Sequence, residues 1–211
     1  MNTKQKCILL FTRYPRAGTS KTRLIPSLGK EGAADLQRKM TETVLHQIEQ
    51  LQAHGSYDLR IYYTGADKTT MRQWLGSNGS YEEQCHGDLG KRMYHAFSSH
   101  LNAYLSVVLV GSDCPSIDAK LLDEAFKTLE THDLVLGPAY DGGYYLIGFS
   151  TNISPQSLAS IFTGIHWGQS DVLQQTLAHA DRLQFSYRLL KKLHDIDTPA
   201  DLVHFNHHTD T

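Results

Sequence analysis

Residues Val107–Ser116 read VVLVGSDCPS: four consecutive aliphatic residues, then a glycine, a hydroxyl, a carboxylate and a proline. An apolar run that does not alternate with polar residues suits a strand covered on both faces, as in the interior of a parallel sheet. The abrupt change at Gly111 ends that strand and leaves Asp113 just beyond its carboxyl end. In open α/β sheets ligands collect beyond the carboxyl ends of the strands. The stretch therefore predicts both a fold class and a place to look for function.

Working outward, further strand-like runs occur at 7–12, 59–64, 134–136 and 144–149, short and rich in Val, Ile, Leu and Tyr. Between them Ala33, Leu36, Met40, Val44, Ile48 and Leu51 keep a helical spacing, as do Ile117, Leu121, Ala125 and Leu129. A further helix is predicted over 170–182, followed by the strand-like FSYRLL. This alternation predicts a single α/β domain with a mixed, mostly parallel sheet flanked by helices. Three loops, RYPRAGTSKTR after the first strand, GSDCPS after Val110 and GPAYDGG after Leu136, are expected on one edge.

The chain has 211 residues with no internal repeat, linker or low-complexity tract, which fits one domain over 1–211 with a short flexible tail from about 205. Its 40% hydrophobic and 20% charged residues are ordinary for a globular protein, and no apolar segment is long enough to span a membrane. The N-terminal apolar run is too short for a signal peptide, so a cytoplasmic location is expected. Cys7, Cys85 and Cys114 are odd in number and lack metal-knuckle spacing, which predicts reduced thiols. A net charge of −2 offers no general attraction to nucleic acid, so any anion site is local.

Arg13, Arg16, Lys21 and Arg23 fall within one short loop. Arginine forks and a lysine point charge are the donors a phosphate group requires, and Gly18 permits close approach of the backbone. The loop is not a P-loop, because Ser20 precedes Lys21 and Pro15 stands where the first glycine belongs. The alternative is a solvated basic loop. Asp113 suits a hard divalent cation such as Mg²⁺ or Mn²⁺, or else caps the next turn, although Ser116 and Asp118 are available for that. Asp195 and Asp197 are two apart, so in an extended segment both face one side; equally, Asp197 or Thr198 reads as an N-cap before Pro199.

Asp141, Gly142, Gly143 and Tyr144 fit either a ligand lying against the backbone or an ordinary turn. In HGDLGKRM, Asp88 and Arg92 either touch a ligand or belong to a helix that Asp88 caps. His204 and His208 are four apart, but with no completing ligands they read as solvated tail residues. No Gly-x-Ser-x-Gly elbow is present, and nucleophilic hydrolysis has no support.

Taken in order, FTRYPRAGTSKTRL, GDLGKRM, VVLVGSDCPSI, LGPAYDGGYYLIG, IHWGQSDVL and DIDTPADL resemble an uncharacterised bacterial family regarded as glycosyltransferase-like, with the GT-A (nucleotide-diphospho-sugar transferase) fold. More distantly they resemble the guanylyltransferases of molybdenum cofactor and phospholactate. The resemblance spans Leu9 to about Leu202. It implies that the 13–23 loop binds nucleotide phosphates, with Lys21 and Arg23 foremost. It also implies that Asp113 ligates the metal together with Asp197 and Asp195, and that 141–144 face the acceptor. The chain departs from the family pattern with Arg13 in place of Lys, Ala17 in place of Pro, and Gly168 and Gln169 where Ser and Thr follow the tryptophan.

The expected function is thus a nucleotide-dependent transferase, a glycosyltransferase using a nucleotide-sugar donor, a small-molecule acceptor and Mg²⁺ or Mn²⁺. Lys21, Arg23 and Asp113 are its expected catalytic residues, with no nucleic-acid or membrane partner. The alternatives are a guanylyltransferase-like nucleotidyltransferase and a non-catalytic nucleotide-binding protein.

Overall fold

The structure, a computed structural model, describes residues 6–151 and 153–205. Most of the tail from 205 and the residue His208 lie outside the described residues.

Among the described residues seven strands form one sheet in the order β3-β2-β1-β4-β6-β5-β7. They are β1 (Lys6–Arg13), β2 (Tyr57–Thr64), β3 (Ser80–Glu83), β4 (Ser106–Gly111), β5 (Leu134–Pro138), β6 (Tyr144–Ser150) and β7 (Tyr187–Leu189). β1 pairs in parallel with both β2 and β4, while β6 runs antiparallel between β4 and β5. The Val107–Val110 run is therefore an interior strand.

The reason is visible in the alternation of its burial. Val108 and Val110 join Ile8 and Leu10 beneath one layer of helices, whereas Val107 and Leu109 join Cys7, Leu9 and Phe11 beneath the other. The first layer contains α1 (Ile25–Ala53), α2 (Lys68–Leu75) and α4 (Ala119–Thr128); the second contains α3 (Leu89–His100), α5 (Pro155–Phe162) and α6 (Val172–Arg182). A strand buried on both faces needs apolar side chains at every position, which is what VVLV supplies.

α1 starts earlier than its apolar spacing predicts and is broken at Gly29, whose φ of 72° and ψ of 172° are not helical. Asp88 and Asp118 cap α3 and α4 by accepting hydrogen bonds from Lys91 N and Leu121 N. A last short helix, α7 (Leu202–Phe205), follows a turn at Pro199–Asp201 that Thr198 and Asp201 close as a capping box. Among the described residues no helix is long and apolar enough to cross a membrane. Cys7, Cys85 and Cys114 are free thiols.

Candidate functional site

The three loops expected on one edge do share it. With Asp195, Asp197 and residues of neighbouring elements they line a cavity of about 540 Å³ at the carboxyl ends of β1 and β4. Arg13, Lys21, Arg23 and Arg92 line it, as do Asp113, Asp141, Asp195, Asp197 and Tyr144.

The loop after β1 is folded on itself: Ser20 Oγ accepts from Arg16 N at 2.9 Å and donates to Tyr14 O at 3.2 Å. Gly18 adopts φ +81°, which is why a glycine stands there. Lys21 is itself left-handed, with φ 46° and ψ 49°. That turn drives its side chain inward, to 3% exposure, where Nζ donates to Ile196 O at 2.7 Å. The same ammonium lies 3.1 Å from Asp113 Oδ2 and 3.5 Å from Asp197 Oδ1. Arg23 Nη1 reaches Asp197 Oδ2 at 2.6 Å.

Asp113 and Asp197 both reach the Lys21 ammonium because the segment after β7 runs as a strap across the sheet edge. Leu190 N bonds to Leu136 O, Leu193 N to Pro138 O, and Ile196 N to Asp113 O at 2.9 Å. Tyr145 Oη ties the strap down through Lys191 O at 2.8 Å. The strap also delivers Asp195 to the cavity. Burial, with Asp141 and Asp113 nearby, pushes the Asp195 carboxyl up to about 7, against the pull of Lys21. Burial likewise pushes the Tyr144 phenol up.

Other expected residues lie elsewhere. Arg16, Gly18 and Asp88 do not line the cavity, and neither do Gly142 and Gly143. Asp88 serves as the cap of α3. Gly142 answers to packing: a Cβ there would stand 1.8 Å from the Ser170 carbonyl oxygen.

Two glutamines escaped the sequence reading. Gln37, buried on α1, directs Nε2 at Ser112 Oγ (3.2 Å), Thr41 Oγ1 (3.3 Å) and Asp113 Oδ1 (3.4 Å). Gln84 donates to Thr12 O and Tyr62 O and accepts from Arg92 Nη1 at 3.1 Å. Gln37 follows Leu36 within the apolar spacing of α1, a position that only tertiary packing reveals as buried.

Among the described residues no three His, Cys, Asp or Glu side chains form a group able to hold a metal ion. Mg²⁺, however, takes only one or two carboxylates and completes its shell with phosphate oxygens and water. The paired Asp113 and Asp197, all-oxygen donors at the wall of a cation-lined cavity, fit that requirement.

A family model described as "Uncharacterized protein conserved in bacteria (DUF2064)" matches residues 33–169. A candidate nucleotide-diphospho-sugar transferase from Desulfovibrio desulfuricans G20 is similar over 99% of this chain and 90% of that one, with TM-score 0.84 and 35% identity. The synthase of 4-diphosphocytidyl-2C-methyl-D-erythritol from Anaerococcus prevotii DSM 20548 matches with TM-score 0.65 at 10% identity, covering 99% and 97% of the two chains. Glucosyl-3-phosphoglycerate synthase from Mycobacterium tuberculosis, crystallised with Mn²⁺, uridine diphosphate and glucosyl-3-phosphoglycerate, matches with TM-score 0.59 at 11% identity, covering 95% and 75%. At such identities the last two establish the fold alone, which is the nucleotide-diphospho-sugar transferase fold. No curated protein sequence matches the chain.

Proposed function

This chain belongs to the DUF2064 family of bacterial proteins, and we propose that it is a transferase acting on a nucleotide-sugar donor with the assistance of Mg²⁺ or Mn²⁺. The observation that carries the reading is the pairing of Asp113 and Asp197 around one ammonium, at the wall of a cavity that Arg13, Arg23 and Arg92 also line. Carboxylates and cations at one point match a metal-bound diphosphate, whereas either set alone would not.

In this reading Arg13, Lys21 and Arg23 neutralise the diphosphate. The sugar C1–oxygen bond breaks, the nucleoside diphosphate leaves with the bonding electrons, and an acceptor hydroxyl bonds to C1 and loses its proton. Asp113 and Asp197 would hold the divalent ion, which stabilises the charge developing on the leaving phosphate. In the same reading Asp141 and Tyr144, which line the cavity, would face the acceptor, and Asp195, a half-buried carboxylate on the same wall, would receive the acceptor proton.

A second reading, nucleotidyl transfer, is favoured by the number of cations. Once a divalent ion took over Asp113 and Asp197, Lys21 and Arg23 would join Arg13 and Arg92 as four positive groups at the cavity wall, more than a diphosphate requires and enough for a triphosphate. There an acceptor phosphate would attack the α-phosphorus and release pyrophosphate. The two reactions separate by product. Incubating the protein with Mn²⁺ and panels of nucleotide sugars and nucleoside triphosphates yields nucleoside diphosphate in the first case and pyrophosphate in the second. Binding of nucleotide with neither product across acceptor panels would leave a non-catalytic nucleotide-binding role. Asp113→Asn and Asp197→Asn should each abolish turnover while leaving the fold intact.

A further inference from the structure

We infer that Lys21 is a resident counter-ion: its ammonium holds the cation position between Asp113 and Asp197 and yields it only to a divalent ion that arrives with phosphate. The inference rests on the metal-assisted reading above and adds a rule of admission to that site.

Three features carry it. The Nζ of Lys21 stands 3.1 Å from one carboxylate and 3.5 Å from the other, so a divalent ion bridging them would meet a positive charge already in place. The lysine is anchored there, because its third contact, to Ile196 O at 2.7 Å, fixes the ammonium in a buried position that a merely solvated lysine would not adopt. Finally the charge of the cavity wall is balanced, with Arg13, Lys21, Arg23 and Arg92 set against Asp113, Asp141, Asp195 and Asp197.

A bare divalent cation adds two uncompensated charges to that balanced set. A metal–polyphosphate complex brings its own negative charge and gives the displaced ammonium a new partner. Lys21 begins within reach of both, since it lines the same cavity as Arg13 and Arg92. The hand-over is from carboxylate to phosphate, with no proton transferred. Its consequence is that cellular Mg²⁺ alone does not fill the site.

The test uses the full chain, with Mn²⁺ alone and Mn²⁺ with inorganic tripolyphosphate as probes. Water-proton relaxation distinguishes protein-bound Mn²⁺ from the free complex. In the unsubstituted protein Mn²⁺ alone should bind weakly, and tripolyphosphate should tighten it at least tenfold, the expected scale when charge balance is restored beside partly exposed carboxylates. Lys21→Met and Lys21→Gln should each bind Mn²⁺ alone roughly tenfold more tightly than the parent, and adding Asp113→Asn to Lys21→Met should remove that gain.

If Mn²⁺ with tripolyphosphate binds through Asp113 in the parent protein but neither Lys21 variant gains affinity for Mn²⁺ alone, the counter-ion role is wrong and the metal-assisted reading stands. If Asp113→Asn changes Mn²⁺ binding under no condition, both fall. Circular dichroism verifies that the variants fold. Should both unfold, the Lys21 ¹⁵Nζ resonance of the parent gives the answer, because it must move on adding Mg²⁺ with tripolyphosphate and stay in place with Mg²⁺ alone. Movement with Mg²⁺ alone overturns the inference.

Discussion

Asp195→Asn should make this protein more stable at pH 8, and the gain should shrink as the pH falls. Burial and the neighbouring Asp141 and Asp113 carboxylates raise the Asp195 carboxyl from 3.8 to about 7. At pH below 3.8 the group is protonated in both the folded and the unfolded chain and contributes no difference. As pH rises through the window up to about 7, the unfolded chain releases this proton freely while the folded one retains it, so folding loses stability. Above about 7 the loss is complete.

A shift of this size corresponds at full value to ~4 kcal/mol. Asp195 opens onto a cavity that water reaches, which reduces the expected figure to about 2 kcal/mol. Asparagine keeps the shape without the charge. Urea unfolding of the two proteins at pH 4.5 and 8, at constant ionic strength and without divalent ions, measures the difference directly. A variant no more stable than its parent at pH 8, or one whose advantage is the same at both pH values, would refute the assignment of strain to this carboxyl.

The remaining expectations concern single side chains. Arg23→Ala should weaken nucleotide binding by about 1.5–3 kcal/mol in calorimetry, the scale of a charged hydrogen bond, whereas Arg16→Ala, away from the cavity wall, should change it little. Gly142→Ala should lower stability by ~3 kcal/mol or more in a thermal scan, since its Cβ would overlap the Ser170 carbonyl at φ +93°; Gly143→Ala, whose Cβ would meet only the Asp141 side chain at 3.2 Å, should be far milder in the same scan. Gln37→Leu should cost about 1–3 kcal/mol by leaving buried hydroxyls short of a donor, with the loss read by urea unfolding.

What was legible in the sequence follows from what each residue type can do locally. VVLV had to be doubly covered whatever surrounded it, so the place of β4 and of Asp113 at its end was readable. Ser80–Glu83 was not, because an edge strand with one buried residue, Tyr81, has no apolar pattern to announce it. α2 and α5 are about two turns long, too short for a periodicity to emerge.

In the site, the cations and carboxylates were visible as chemistry, but their pairing was not. Nothing in TSKTR shows that Lys21 turns left-handed and buries its ammonium, since lysine at a loop tip is ordinarily solvated. Gln37 was hidden for the converse reason. A polar residue in the helical pattern reads as surface until the strand end it meets is placed.

The strap also fixes when the site comes into being. Lys21 bonds to Ile196 across 175 positions and Arg23 to Asp197 across 174, so the cation loop is synthesised long before the strap that meets it. A chain on the ribosome that has not yet reached the strap carries the arginines of this loop but has no Asp195 or Asp197 to set against them. Contacts of such high order form late, because the entropy of closing so long a loop is repaid only once the sheet between the ends is assembled. On the proposed reading nucleotide capture is thereby tied to completed folding: a half-folded copy would compete poorly for ligand, and bound ligand would in turn stabilise the finished molecule over its unfinished forms.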